Sequence, residues 1–214
     1  MTSVLASPCT WLAAHGYGSS CAEAFGFVTG VLNVWLVTRQ SLWSWPVGVL
    51  NAAFYAVVFA RTGLYSDTGL QGVYFGLSLY GWWYWWRGGT ERAPLPVRRT
   101  PHALWWWLAA SGLAAWVLLA TITARIPGAA LPWVDAALVA TSLVAMWMMT
   151  RKLLENWLLW MAVDVVYVGL FIDRGLPLTA VLYAVFLGLA WHGYRAWLQA
   201  QQTRGAASLP SPPV

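Results

Sequence analysis

Seven apolar windows, each close to the length that crosses a bilayer, divide this sequence of 214 residues, and they constrain its fold more than any other feature. About 20 apolar residues span roughly 30 Å of hydrocarbon. The windows run over 23–38, 43–60, 68–86, 103–123, 134–150, 157–172 and 177–197. The shorter ones call for tilt and for arginines that snorkel from their ends. With 60% hydrophobic residues and 9% charged residues, the chain has too little polar surface to cover a soluble globule. The expected fold is an all-α polytopic membrane protein with seven transmembrane helices.

Lys and Arg are retained on the cytoplasmic side of a membrane, so their distribution sets an orientation. An external N-terminus places Arg39, Arg87, Arg92, Arg98, Arg99, Arg151, Lys152, Arg195 and Arg204 inside, and only Arg61, Arg125 and Arg174 outside. The C-terminus then lies in the cytoplasm. The net charge of +5 follows from this topology and leaves no basic face for nucleic acid. Residues 1–22 carry no Lys or Arg, lack the basic region of a signal peptide, and read as an external tail. Cys9 and Cys21 fall there, either joined in an oxidising compartment or unpaired. Residues 199–214 are polar, then rich in Pro and Ser, and read as a disordered cytoplasmic tail.

The chain also repeats itself at an offset of 112 residues. WLVTR at 35–39 lies over WMMTR at 147–151. Trp45 lies over Trp157, Tyr55 over Tyr167, Phe59 over Phe171, Gly81 over Gly193 and Trp85 over Trp197. Scarce residues matched across three helices and two loops indicate duplication. A three-helix unit (23–86) and its copy (134–198) point the same way only if one more helix reverses the chain between them. The segment 87–133, a basic cytoplasmic loop and a linking helix, supplies it. The expected arrangement is 3+1+3, two parallel repeats with a solute near the midplane between them.

Polar residues inside the spans need a reason, because a charge there costs about 2.5–3.5 kcal/mol on insertion scales. Asn156, Trp160, Asp164 and Tyr167 recur at steps of four, four and three, which puts them on one face of helix six. An amide, an indole, an acid and a phenol on one wall suit an aromatic ring, sugar hydroxyls and a cation. Asp164 as an acid satisfied by a neighbouring helix and Asn156 as a helix cap are the structural alternatives. The repeat mates of Asn156, Trp160 and Asp164 are Ser44, Gly48 and Ala52, which either leave room for a ligand or let helices approach closely. Helix three carries a second stripe, Asp67, Gln71, Tyr74, Ser78 and Trp82. Its mate in helix seven is Thr179, Tyr183, Phe186, Ala190 and Tyr194. Gln71 can both donate and accept, as a carboxamide requires. Gln71, Tyr74, Tyr183 and Asn51 join the candidate site, while Asp67 is either solvated or paired with Arg61.

Most tryptophans are expected at the headgroups: Trp82, Trp83, Trp85, Trp86 and Trp105 to Trp107 flank the basic loop as interfacial anchors. Trp45 and Trp157 open equivalent helices and read as symmetry-related packing residues. His15, His102 and His192 lie on different segments, no nucleophile sits beside a base, and no phosphate-binding loop occurs. Neither an enzyme, nor a cofactor, nor a metal site is expected.

The segments SWPVGVLNAAFY (44–55), GLYSDTGLQGVYF, YGWWYWW, ENWLLWMAVDVVY and LYAVFLGLAWHGYRAW, in this order across a duplicated chain, resemble the PnuC family of nicotinamide riboside transporters over residues 23–197. The resemblance implies a SWEET-like 3+1+3 fold in the bacterial inner membrane and a homotrimer. It also implies facilitated diffusion of nicotinamide riboside for NAD synthesis, made one-way by a cytoplasmic kinase that phosphorylates the solute. It nominates Gln71, Asn156, Trp160 and Asp164 as binding residues. Related members carrying thiamine or riboflavin, and a proton-coupled carrier using Asp164, are the alternatives.

Overall fold

The computed structural model describes residues 21–61, 65–89, 94–126 and 131–207. Cys9 and most of the expected external tail lie outside them. Seven helices make up the described chain: α1 Cys21–Thr38, α2 Ser44–Arg61, α3 Tyr65–Arg87, α4 His102–Thr123, α5 Pro132–Thr150, α6 Asn156–Asp173 and α7 Pro177–Ala207. The windows of the sequence are recovered within a few residues at most ends. At the C-terminus they are not, since α7 continues through Gln199 to Ala207, where the sequence suggested the start of a disordered tail.

Helix α1 packs on α2, α2 on α3, α3 on α5, α5 on α6, α6 on α7, and α7 returns to α1, while α4 stands outside this ring against α5. The pattern maps onto itself when α1, α2 and α3 are exchanged for α5, α6 and α7. Helices α4, α5 and α6 are long and apolar enough to cross a membrane by composition alone. Helix α4 turns Trp106, Trp107, Leu113 and Leu118 outward, as lipid-facing surface requires.

The duplicated sequence builds duplicated turns. Thr38 and Thr150 each donate through Oγ1 to a carbonyl three residues back, Trp35 O and Trp147 O, both at 2.7 Å. Arg39 stacks on Trp35 at 5.2 Å and Arg151 on Trp147 at 5.5 Å. The following residues, Gln40 and Lys152, both take a left-handed backbone with φ of 53° and 52°. Ser44 Oγ then donates to Ser41 O at 2.8 Å, and Asn156 Nδ2 to Leu153 O at 2.6 Å. Each of these side-chain-to-backbone bonds ties the start of α2 or α6 to its preceding turn. Gly175, with φ of 68°, ends α6 in a turn where Leu176 N donates to Phe171 O at 2.9 Å.

At the end of the bundle that carries these turns, Trp45, Trp85, Trp157 and Trp197 are all buried in one cluster. Trp45 meets Trp85 edge-on at 5.1 Å and Trp157 meets Trp197 edge-on at 5.4 Å, with Trp85 and Trp197 6.1 Å apart between them. Trp85 Nε1 donates to Thr150 O and Trp197 Nε1 to Val37 O, both at 3.1 Å, so each half reaches into the other. Trp85 is therefore a core residue and not the interfacial anchor its neighbours suggested. Trp82, Trp83 and Trp86 are exposed. The segment 94–100, part of the expected basic loop, crosses this end as a strap. Leu95 and Val97 enter the tryptophan cluster. Arg98 N donates to Lys152 O at 3.0 Å, Leu154 N to Arg98 O at 2.8 Å, and Thr100 donates from N and Oγ1 to Glu155 Oε2 at 2.8 and 2.7 Å.

Candidate functional site

The ring of six helices encloses a cavity of about 400 Å³, within the range that small-molecule sites occupy. Its floor is Val37, Trp45 and Met149, directly above the tryptophan cluster and the strap. Helix α6 contributes Trp160, Val163, Asp164 and Tyr167 on successive turns, because steps of three and four keep side chains on one face. Gln71, Tyr74 and Ser78 of α3 line the cavity too, as do Tyr183 and Phe186 of the neighbouring α7. Ser44, Gly48 and Ala52 of α2 also line the cavity, so the small mates of the bulky α6 wall border the same space.

Seven of the eight residues singled out in the sequence thus meet around one cavity: Asn51, Gln71, Tyr74, Trp160, Asp164, Tyr167 and Tyr183. Asn156 does not join them. It is fully buried at the first turn of α6, where its amide makes the same backward bond as its mate Ser44. The stripe of α6 therefore divides, with a buried amide bonded back to the preceding turn at its start and a cavity wall from Trp160 onward. Asn51 reaches the cavity with its Nδ2 already donating to Thr29 Oγ1 at 2.7 Å. Asp67 is exposed at the start of α3.

Two polar lining residues were not singled out by pattern: Asn33 of α1 and Ser142 of α5. Asn33 has only Thr29 one turn before it and Ser142 only its neighbour Thr141, too few polar residues to mark a stripe. Only the closure of α1 against α7 and of α3 against α5 brings them to the cavity.

Asp164 is 5% exposed, and among the described residues no basic side chain and no hydrogen-bond donor partners its carboxyl group. A lone buried acid is costly unless a cation, a donor or a proton joins it. Trp160, one turn below, presents an indole whose Nε1 is buried without a partner. Tyr167 and Tyr183 lie 4.5 Å apart, and both contact Phe171, at 5.8 and 5.3 Å, which makes an aromatic lid at the cavity end opposite the tryptophan floor. The arrangement suits a flat aromatic solute that stacks, with positive charge near Asp164 and hydrogen-bonding groups within reach of Gln71. Among the described residues that line it, no nucleophile has an adjacent base.

Apolar helices ringed about a part-polar cavity, closed at one end by packed indoles, have the architecture of a membrane transporter. The chain belongs to the family described as nicotinamide mononucleotide transporter, which it matches over residues 20–199. It is a multi-pass inner-membrane protein. It is 29% identical to the nicotinamide riboside transporter PnuC of Escherichia coli (strain K12), over 92% of this chain and 93% of that one. The riboflavin/roseoflavin transporter RibM of Streptomyces davaonensis is 31% identical, over 82% of this chain and 84% of that one. The crystal structure of the vitamin B3 transporter PnuC has the same fold, with a TM-score of 0.67 at 24% identity over 92% of this chain and 84% of that one.

Proposed function

We propose that this protein carries nicotinamide riboside across the cytoplasmic membrane by facilitated diffusion. The observation that carries the reading is the pairing, on adjacent turns of α6, of a cavity-lining indole at Trp160 with an unpartnered carboxyl group at Asp164. A cationic nicotinamide ring satisfies both at once, and Gln71 suits its carboxamide. Gln71, Tyr74, Trp160, Asp164, Tyr167 and Tyr183 form the binding wall of this reading, with Asn51 at its edge and Asn156 acting through the seat of α6. The relatives described as riboside transporters support it. The two halves, α1 to α3 and α5 to α7, work about the cavity as a 3+1+3 unit with α4 as the linking helix, which the exchangeable packing pattern supports. The basic residues at the tryptophan end support a cytoplasmic setting for that end and for the C-terminus. Trapping by a cytoplasmic kinase and homotrimeric assembly belong to the same reading through the resemblance of motifs.

The similarity to RibM favours a second solute, riboflavin, on the same fold. Titration of the purified protein with nicotinamide riboside, nicotinamide mononucleotide, thiamine and riboflavin, followed by tryptophan fluorescence, separates the two. Saturable quenching by the riboside alone, and its equilibration into liposomes without a proton gradient, is the expected result. Saturation by riboflavin alone would replace the solute, and riboside uptake that stops with an uncoupler would replace uniport by proton coupling.

A further inference from the structure

The cavity has a second polar corner, away from Asp164, where α1, α2 and α3 meet. A Cβ placed on Gly48 would lie 3.3 Å from Ser78 Oγ, 3.5 Å from Asn33 Nδ2 and 3.7 Å from Asn33 Oδ1. Glycine at this position therefore lets the Ser78 hydroxyl and the Asn33 carboxamide converge on the α2 backbone, in space that a Cβ would already fill. All three residues line the cavity. Ser78 is 2% exposed, and among the described residues neither its hydroxyl nor the amide of Asn33 has a hydrogen-bond partner. Buried polar groups are ordinarily satisfied, and a pair left open toward a cavity is a place for a ligand to bond.

The duplication supplies an internal control. The mates of Asn33, Gly48 and Ser78 are Ala145, Trp160 and Ala190. In the second half an indole stands at the position of the glycine, and both polar positions are buried alanines. The polar pair occurs only in the half whose α2 position is glycine. Close helix packing at Gly48 would need neither Asn33 nor Ser78, and alanines serve at both flanks in the other half.

We propose that the polar corner made by Asn33 and Ser78 beside Gly48 is the sugar subsite, in which these two side chains bind vicinal ribose hydroxyls while the ring lies on Trp160. An amide and a hydroxyl each donate and accept, which matches a diol whose two hydroxyls do the same. Asn33, Ser78 and Trp160 line one cavity, so a nucleoside spans it with its base on the indole and its sugar at the polar corner. This inference rests on the nicotinamide riboside reading.

The experiment measures affinity of the full-length protein for nicotinamide riboside and for its 2′-deoxy and 3′-deoxy analogues, in the native chain and in Ser78→Ala and Asn33→Leu, each checked for an unchanged melting temperature. The native protein is expected to prefer the riboside to at least one deoxy analogue by about tenfold, the scale of one neutral hydrogen bond. One or both variants should bring that preference to within about twofold, because the hydroxyl then has lost its partner. Ser78→Ala places at one flank the residue its own repeat mate carries, so it is a substitution the fold already tolerates. Equal discrimination in native protein and both variants, or none in the native protein, overturns the subsite. A native protein that binds no riboside overturns the solute reading itself, which is a different result from binding without discrimination.

Discussion

Lys152 donates through Nζ to Oε1 of Gln40 at 3.0 Å, and these two residues occupy the same position in the two repeats, 112 residues apart. They meet at the tryptophan end of the bundle, each on its left-handed turn. Lys152 is 4% exposed, with its ammonium 4.2 Å above the Trp85 ring. A symmetric pair of lysines here would repel, and a symmetric pair of glutamines would lack the charge over the indole. The departure from the repeat at this one position joins the halves.

Burial, and secondarily the charge of Arg204, push the Lys152 ammonium down from 10.5 to about 8. Between those values the unfolded chain binds a proton that the folded chain has released, so stability rises with pH in that window; below about pH 8 the cost of burying the charge is fully present. The melting temperature in detergent should climb from pH 8 to pH 10 in the native protein, and climb less in Lys152→Met. Parallel curves for the two proteins would show that Lys152 contributes no such linkage.

Gly81 and Gly193 each face an indole, Trp45 and Trp157, so closely that a Cβ would overlap the ring. Both indoles are buried and rigidly packed, and overpacking of this kind costs about 1–3 kcal/mol. Gly81→Ala and Gly193→Ala should each lower the melting temperature, by similar amounts. Trp45→Leu should restore stability to Gly81→Ala and not to Gly193→Ala. A thermal-shift comparison of the singles and the two doubles checks the pairing.

Asp164 and Asn156 should separate in their effects although both lie on α6. Loss of a charged contact in Asp164→Ala is expected to weaken riboside binding by about 1–3 kcal/mol with little change in melting temperature. Asn156→Ala removes the bond to Leu153 O and should lower stability more than it lowers affinity. Titration and melting of both variants decide it, and an Asn156→Ala protein of native stability with tenfold weaker binding would return Asn156 to the cavity wall.

The strap should loosen when its carboxylate anchor is removed. Glu155 Oε2 accepts from both N and Oγ1 of Thr100, and Glu155→Ala leaves that amide without its partner. Hydrogen exchange over residues 94–100 should rise about tenfold, the equivalent of roughly 1.4 kcal/mol of lost protection. Unchanged exchange would place the holding force in Leu95 and Val97.

The membrane class, the number of helices, the 112-residue duplication and the polar stripes of α3 and α6 were legible in the sequence, because window hydropathy, residue scarcity and helical spacing are properties of the chain in one dimension. The tertiary structure alone decided which apolar residues face lipid and which face protein. Lipid tails are as apolar as leucine, so hydropathy treats Trp85 and Trp86 alike. One is buried against Thr150 and the other is exposed. Asn156, a candidate in the sequence, stands off the cavity and Asn33, which no pattern marked, lines it, for a related reason. A residue's periodic position says which face of its helix it occupies, but the contact of α1 with α7, and the turn before α6, determine what that face meets.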